Sequence, residues 1–188
     1  MSRADRSRPR AITRLCLIAA AAVAVFVGAC SVDEAMPAPT CSGDTSALLA
    51  AQSVPTASEI PCLEPLPDGW LVASVSINQD RTVVKLDSDR AGTDAAVLRL
   101  EKECDVAEAV TAPSDIPSAD RYDQIDRLEP SFRASRYYVF PGGCVWWRFD
   151  FDRGASATEA VAIGDVLALV SRQAFNDSFR ESFVDEDI

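Results

Sequence analysis

The chain has 188 residues, with 18 Lys and Arg against 29 Asp and Glu, no His, and a formal net charge of −11. A surface of that sign repels phosphate backbones and anionic headgroups, so nucleic-acid binding and docking to a membrane through basic patches are disfavoured. Without His, no Ser-His-Asp or Cys-His arrangement can exist.

Residues 1–14 carry Arg3, Arg6, Arg8, Arg10 and Arg14 against one acid, Asp5, and residues 15–27 are all apolar. A basic lead, a short apolar run and a small-residue end make the pattern of a secretory signal peptide. A spanning helix takes about 20 apolar residues, more than the run offers, so it reads as a processed signal and not an anchor. Its end is Val27-Gly28-Ala29-Cys30. These residues resemble the lipobox of bacterial lipoproteins, with Val27 where Leu is commoner. The resemblance implies that Cys30 receives a diacylglyceryl group, becomes the mature N-terminus and tethers the protein to the extracytoplasmic face of the cell membrane. Two or more acyl chains would hold it stably, where one binds only marginally. The competing reading is a soluble secreted protein cut near Ala29, with Cys30 an ordinary cysteine. The lead has no Arg-Arg pair, which favours general export over the twin-arginine route.

The expected organisation is therefore a signal peptide over 1–29, a lipid-anchored Cys and linker over 30–40, and one extracytoplasmic domain over 41–188. Losing five arginines and one aspartate with the signal takes the net charge from −11 to −15. Four cysteines remain beyond Cys16 and Cys30: Cys41, Cys62, Cys104 and Cys144. An even number in an exported domain predicts two disulfides. Of three pairings, Cys41–Cys62 with Cys104–Cys144 is favoured, the first stapling the N-terminal segment and the second pinning the middle of the chain to a strand. Each contributes about 3–4 kcal/mol by loop closure. A zinc-thiolate site wants closer spacings and, commonly, His, so neither a metal nor another cofactor is expected.

In chain order, residues 31–40 read as a Pro-containing linker and residues 44–52 as a short helix capped by Asp44 or Thr45. Pro55, Pro61, Pro65 and Pro67 keep the chain irregular up to Trp70. Leu71, Ala73, Val75 and Ile77 then alternate as a half-buried strand. Residues 78–81 turn and 82–86 return, setting Ile77 against Thr82, Val75 against Val84 and Ala73 against Leu86. Ala96, Leu98 and Leu100 mark a third strand. Residues 105–130 are polar, contain Pro113, Pro117 and Pro130, and are predicted to be a long loop held by Cys104.

Residues 133–151, RASRYYVFPGGCVWWRFDF, carry the strongest pattern. Gly142-Gly143 suits a two-residue hairpin turn, which would place Tyr138 opposite Trp147 and Phe140 opposite Val145. Val145, Trp147, Phe149 and Phe151 share the core face; Cys144, Trp146, Arg148 and Asp150 share the other. Ser156-Ala157-Thr158-Glu159 reads as a capping box. The helix it opens would run through Ala160, Ile163, Leu167 and Val170, continuing with Phe175, Phe179 and Phe183 to the acidic end at Asp185. The predicted class is α+β: an antiparallel sheet of about five strands with a C-terminal helix packed on one face.

Nucleotide-binding glycine motifs are absent. Residues 87–94 resemble a calcium loop in their acids and Gly92, but Ala91 stands where an oxygen ligand is needed; the plainer reading is a strand connection in which Arg90 pairs with an aspartate and Gly92 makes the bend. Asp150 and Asp152 flank Phe151 and could act as a carboxylate pair on a glycan, or be surface charges paired with Arg148. Trp146 beside Tyr137 forms a platform for a sugar or a partner's side chain if exposed, or a satellite core beneath 105–130 if covered. Tyr137, Trp146, Arg148 and Asp150 are thus the candidate binding surface.

Beyond the lipobox, the Ala/Arg/Asp-rich domain is similar to the small, acidic, two-disulfide lipoproteins of actinobacteria, which implies location and not mechanism. The expected function is a non-catalytic envelope module that binds a protein partner or glycan near the membrane. The alternatives are a carboxylate-based carbohydrate-acting enzyme and a structural surface spacer.

Overall fold

Alternating side chains build most of this structure. The computed structural model describes residues 37–41 and 44–184. The signal peptide, Val27-Gly28-Ala29, Cys30, most of the linker and the acidic end from Asp185 lie outside the described residues. The elements are α1 (Thr45–Ser53), β1 (Glu59–Leu63), β2 (Trp70–Asn78), β3 (Arg81–Ser88), β4 (Gly92–Glu101), β5 (Val110–Ala112), β6 (Asp120–Arg127), β7 (Arg133–Phe140), β8 (Gly143–Asp150), α2 (Ala157–Gly164), β9 (Leu167–Ser171) and α3 (Arg172–Val184). Seven strands form one sheet in the order β2-β3-β4-β8-β7-β6-β5, and β1 and β9 form a second. Every pair within the two sheets is antiparallel.

One face of the large sheet holds the core. Val84, Leu86, Leu98, Leu100, Tyr138, Val145, Trp147 and Phe149 pack there against Val54, Leu63, Ala160, Ile163 and Leu167 from α1's end, β1, α2 and β9. Burying each large apolar side chain stabilises by roughly 1.5–3 kcal/mol. Trp70 closes one end, 7% exposed and 6.1 Å from the Phe151 ring. A smaller cluster of Ala47, Ala51, Ile60 and Phe175 joins α1 and β1 to α3. Asp44 caps α1 by accepting from the Ala47 amide at 2.8 Å. Both disulfides join the favoured partners, Cys41–Cys62 and Cys104–Cys144.

The α+β class holds, but the strand count is corrected from about five to a seven-stranded sheet plus a two-stranded one. Residues 105–130, read as a loop, supply β5 and β6. Five of the eight residues in β6 (DRYDQIDR) are charged. It lies near an edge of the sheet, where ion pairs replace a packed core, so no apolar period marks it.

The β7–β8 turn is also corrected. Phe140 pairs with Gly143, so the loop is Pro141-Gly142, with Gly142 at φ +76°. Proline first and a positive-φ glycine second is a type II turn. Gly142 also lies against the Thr56 carbonyl, where a Cβ would collide. Tyr138 therefore faces Val145, and Arg136 faces Trp147. The displacement is two residues, so each side chain keeps its face. In β2, the pairs Ile77–Thr82 and Val75–Val84 form as expected, but a bulge at Ala73 sets Leu86 against Val72.

The third correction is the C-terminal helix, which is broken. Ser156 caps α2 by accepting from the Thr158 amide, but α2 ends at Gly164 and Leu167–Ser171 becomes a strand on β1. Glycine is a poor helix former, and a free strand alongside outweighs the helical spacing of Leu167 and Val170. Arg172 then ties α3 to the end of α1. Its guanidinium donates to the carbonyls of Ala57, Ala51 and Val54 at 2.6, 3.0 and 2.8 Å.

Candidate functional site

The other face of the large sheet carries no helix among the described residues. Strand registers set Val83, Arg99, Trp146, Tyr137 and Tyr122 side by side across five strands. Tyr137 and Trp146 stack with centroids 5.6 Å apart and planes at 24°. Arg99 lies over the indole, 5.0 Å from its centroid. Arg99 and Tyr137 come from the two strands flanking β8, so the two neighbours occupy opposite π faces of Trp146. The indole N–H donates to Glu101 at 2.9 Å, and Arg81 and Arg99 approach the same carboxylate at 3.9 Å each. Such stacking and cation–π contacts are worth about 0.5–1.5 kcal/mol apiece. The row is a pre-built array of aromatic edges and guanidinium.

Trp146 falls between the two readings: it is half-buried beside Arg99 and Tyr137, β6 widens the sheet instead of covering it, and the Cys104–Cys144 disulfide pins the segment after β4 to the same face, where Cys144 is fully buried. Because its ring faces are taken, a flat sugar cannot stack on Trp146 itself.

Arg148 and Asp150 continue along β8 on the same face. Asp150 accepts from Arg133 Nε and Nη2 at 2.8–3.1 Å, with Arg148 at 3.5 Å. Its lone pairs are thus engaged. Lys85 donates to Asp94 at 2.7 Å, and with Val97, Arg99, Arg148 and Asp150 these two surround a shallow hollow of about 260 Å³. The four candidate residues Tyr137, Trp146, Arg148 and Asp150 therefore share one open surface. Asp152 does not join them as a working pair: its carboxylate sits on Gly92, whose φ of +100° makes the bend at the start of β4. The 87–94 loop follows the plainer reading, with Arg90 bridging Asp89 at 3.7 Å and Glu159 at 3.0 Å.

No family model matches the sequence, and no curated protein matches it. One solved structure that it resembles is a crystal structure from Bacteroides thetaiotaomicron VPI-5482, with 12% identity and a TM-score of 0.33. The match spans 62% of this chain and half of that one. A likeness that slight carries no argument.

Three features were not read from the sequence. An apolar cleft of about 190 Å³ lies between β6, β7 and α2, floored by Phe132, Ala134, Phe149 and Ala160. Its lining includes Ile125, Leu128 and Val161, each at least half exposed. Two of those stand in the stretch read as loop, which hid the cleft. Beside it, Asp123 accepts from Arg121 at 2.7 Å and from Arg136 at 3.3 Å, and the buried Tyr138 hydroxyl donates to Asp115 at 3.0 Å. Burial, with Asp115 adding to it against Arg136, pushes the Tyr138 phenol up to about 12.

The third is Glu59, only 8% exposed on β1. Burial raises its carboxyl above the ordinary range, against a hydrogen bond from Ser118. It lines an open hollow with Arg172, Asn176 and Asp177. A single glutamate in a proline-interrupted stretch gives no signal in sequence.

Proposed function

We propose that this chain is a lipoprotein held at the extracytoplasmic face of the cell membrane through Cys30, and that its domain is a non-catalytic module binding an envelope protein. The observation that carries the reading is the helix-free sheet face with its pre-built Arg99–Trp146–Tyr137 row. Aromatic and Arg side chains fixed before binding lose little entropy on contact, which is why they dominate protein interfaces. The basic lead, the apolar run and Val27-Gly28-Ala29-Cys30 support the tether.

The test is cross-linking in cells from a photoreactive side chain at position 148, which is exposed and outside the row. A discrete protein adduct that is lost in Cys30→Ser supports the reading. Absence of any adduct, with a melting temperature that no envelope fraction raises, would leave a spacer and contradict it.

One observation favours a carboxylate-based enzyme as a second reading: Glu59, with its raised carboxyl, lines the same hollow as Asp177. This moves the chemistry from Asp150 to Glu59. Turnover of a glycan by the purified protein, abolished in Glu59→Gln, would support that reading over the first.

A further inference from the structure

Among the described residues, five large apolar side chains are at least half exposed, and three of them meet at one place. Ile125, Leu128 and Val161 line the cleft of about 190 Å³ between β6, β7 and α2. Exposed apolar residues scattered singly are ordinary, but a group of them around one hollow marks a binding site. The cleft follows from the fold. Ile125 pairs with Ala134, so its side chain points to the inner face. The sheet continues past β7 to β6, while α2 packs on the core through Ala160 and Ile163. Alanines at 134, 157 and 160 leave room that larger side chains would fill. Water gains few hydrogen bonds from such a lining, and an apolar cavity of roughly 150 Å³ is large enough for benzene.

The polar end of the cleft says what its occupant carries. Asp123 and Arg136 are the two charged residues in the lining. Arg136 donates to Asp123 at 3.3 Å, and Arg121 donates to the same carboxylate at 2.7 Å. Arg121 also reaches Asp115 at 3.3 Å, so two guanidinium groups face two carboxylates. A carboxylate or phosphate entering here would lack a counter-charge. An ammonium would meet two guanidinium groups around an acid that they already engage. A neutral group fits. The Arg136 side chain is 12% exposed and tucked under the end of α2, where a Cβ at Gly164 would meet Nη1 at 2.6 Å. Its Nε is spent on Asp123, and its terminal nitrogens hold no hydrogen bond among the described residues. They can donate to a hydroxyl or carbonyl oxygen. The hollow is ring-sized and bordered by the charged strand β6, whereas a stable protein interface covers about 800 Å² per partner. We propose that this cleft binds a small neutral molecule, one ring or a branched chain of about six to eight carbons bearing a hydroxyl or carbonyl group. The site lies on the face of the sheet opposite the Trp146 row and does not rest on it.

The test is methyl NMR of the full chain in lipid nanodiscs, following Ile125, Leu128 and Val161 while benzyl alcohol, benzoate or benzylamine is added. The three probes share a ring and differ in charge. The expected result is saturable shifts with benzyl alcohol, and binding at least about fivefold weaker for the two ions. Ala157→Leu places a good helix former at an exposed position of the lining. It should keep the fold, narrow the cleft and weaken benzyl alcohol by about fivefold or more. Shifts that do not saturate by about 20 mM overturn the proposal, because a fragment of that size in a matching hollow binds more tightly. Shifts that persist unchanged in Ala157→Leu come from partition into the bilayer and overturn it as well. Equal binding of benzoate or benzylamine overturns the neutral-ligand assignment. Methyl shifts that grow with protein concentration in the absence of any probe would assign the cleft to a second copy and overturn the small-molecule assignment.

Discussion

Trp146 and Trp147 are neighbours in sequence and opposites in role, because successive residues of β8 point to opposite faces of the sheet. Trp147 is fully buried among Tyr138, Phe149 and the elements that cover the inner face. Trp146 is half-buried, flanked by a tyrosine and an arginine and hydrogen-bonded to Glu101. The inner face is shaped by exclusion of water. The outer face is shaped by pairing within itself. The comparison teaches that a large aromatic on a strand does not declare its purpose; the layer opposite decides it.

The comparison breaks first at the inner face. Trp147→Ala should cost about 3–5 kcal/mol by opening a cavity in the main core, read from denaturant midpoints. A cost below about 1 kcal/mol would mean that the two faces are not distinct. Next comes the joint between the outer face of β8 and the segment after β4: replacing Cys104 and Cys144 together by Ser should cost about 4 kcal/mol, from release of the loop they close. Trp146→Ala should cost only about 1–2 kcal/mol, since it loses one stack, one cation–π contact and a part-buried hydrogen bond.

Two titrations sharpen the inner side. The Tyr138 phenol is held up to about 12 against an ordinary value of 10. A raised pKa means that the folded state resists ionisation, so its contribution is complete below pH 10 and is lost as pH rises from 10 through about 12. Alkaline melting should therefore show a steeper fall in that window, and Tyr138→Phe should remove that component. Glu59, raised by burial, has the same sign: the fold is favoured when it is protonated and loses that advantage as pH rises through its elevated pKa. Glu59→Gln should raise the melting temperature slightly at pH 7 and leave it unchanged at about pH 3, where both states carry the protonated acid. A loss of stability at pH 7 would mean that the Ser118 hydrogen bond outweighs burial.

Much of the inner face was legible because its strands alternate. The hairpin of β2 and β3, the third strand, the core set Val145–Trp147–Phe149 and the Asp44 cap all follow from period and capping chemistry. Even the misplaced turn at Gly142 preserved the faces, since the error was an even number of residues. What stayed hidden lacked a period. Strand β6 has ions on both sides, and β9 carries helical spacing that is overridden by its pairing with β1. The outer row was half legible: the sequence sets Tyr137 and Trp146 on one face, but Arg99 and Glu101 reach them from β4 through pairings that no local pattern specifies. The cleft at Ile125 and the buried Glu59 arise from tertiary packing alone.

The central claim is that the outer face binds and the inner face folds. Its most direct test is the yield of the cell-surface cross-link from position 148 in Trp146→Ala, compared with the unaltered row at equal amounts of folded, membrane-held protein. The account predicts that the adduct disappears while stability drops by only about 1–2 kcal/mol. An undiminished adduct in that variant would contradict it.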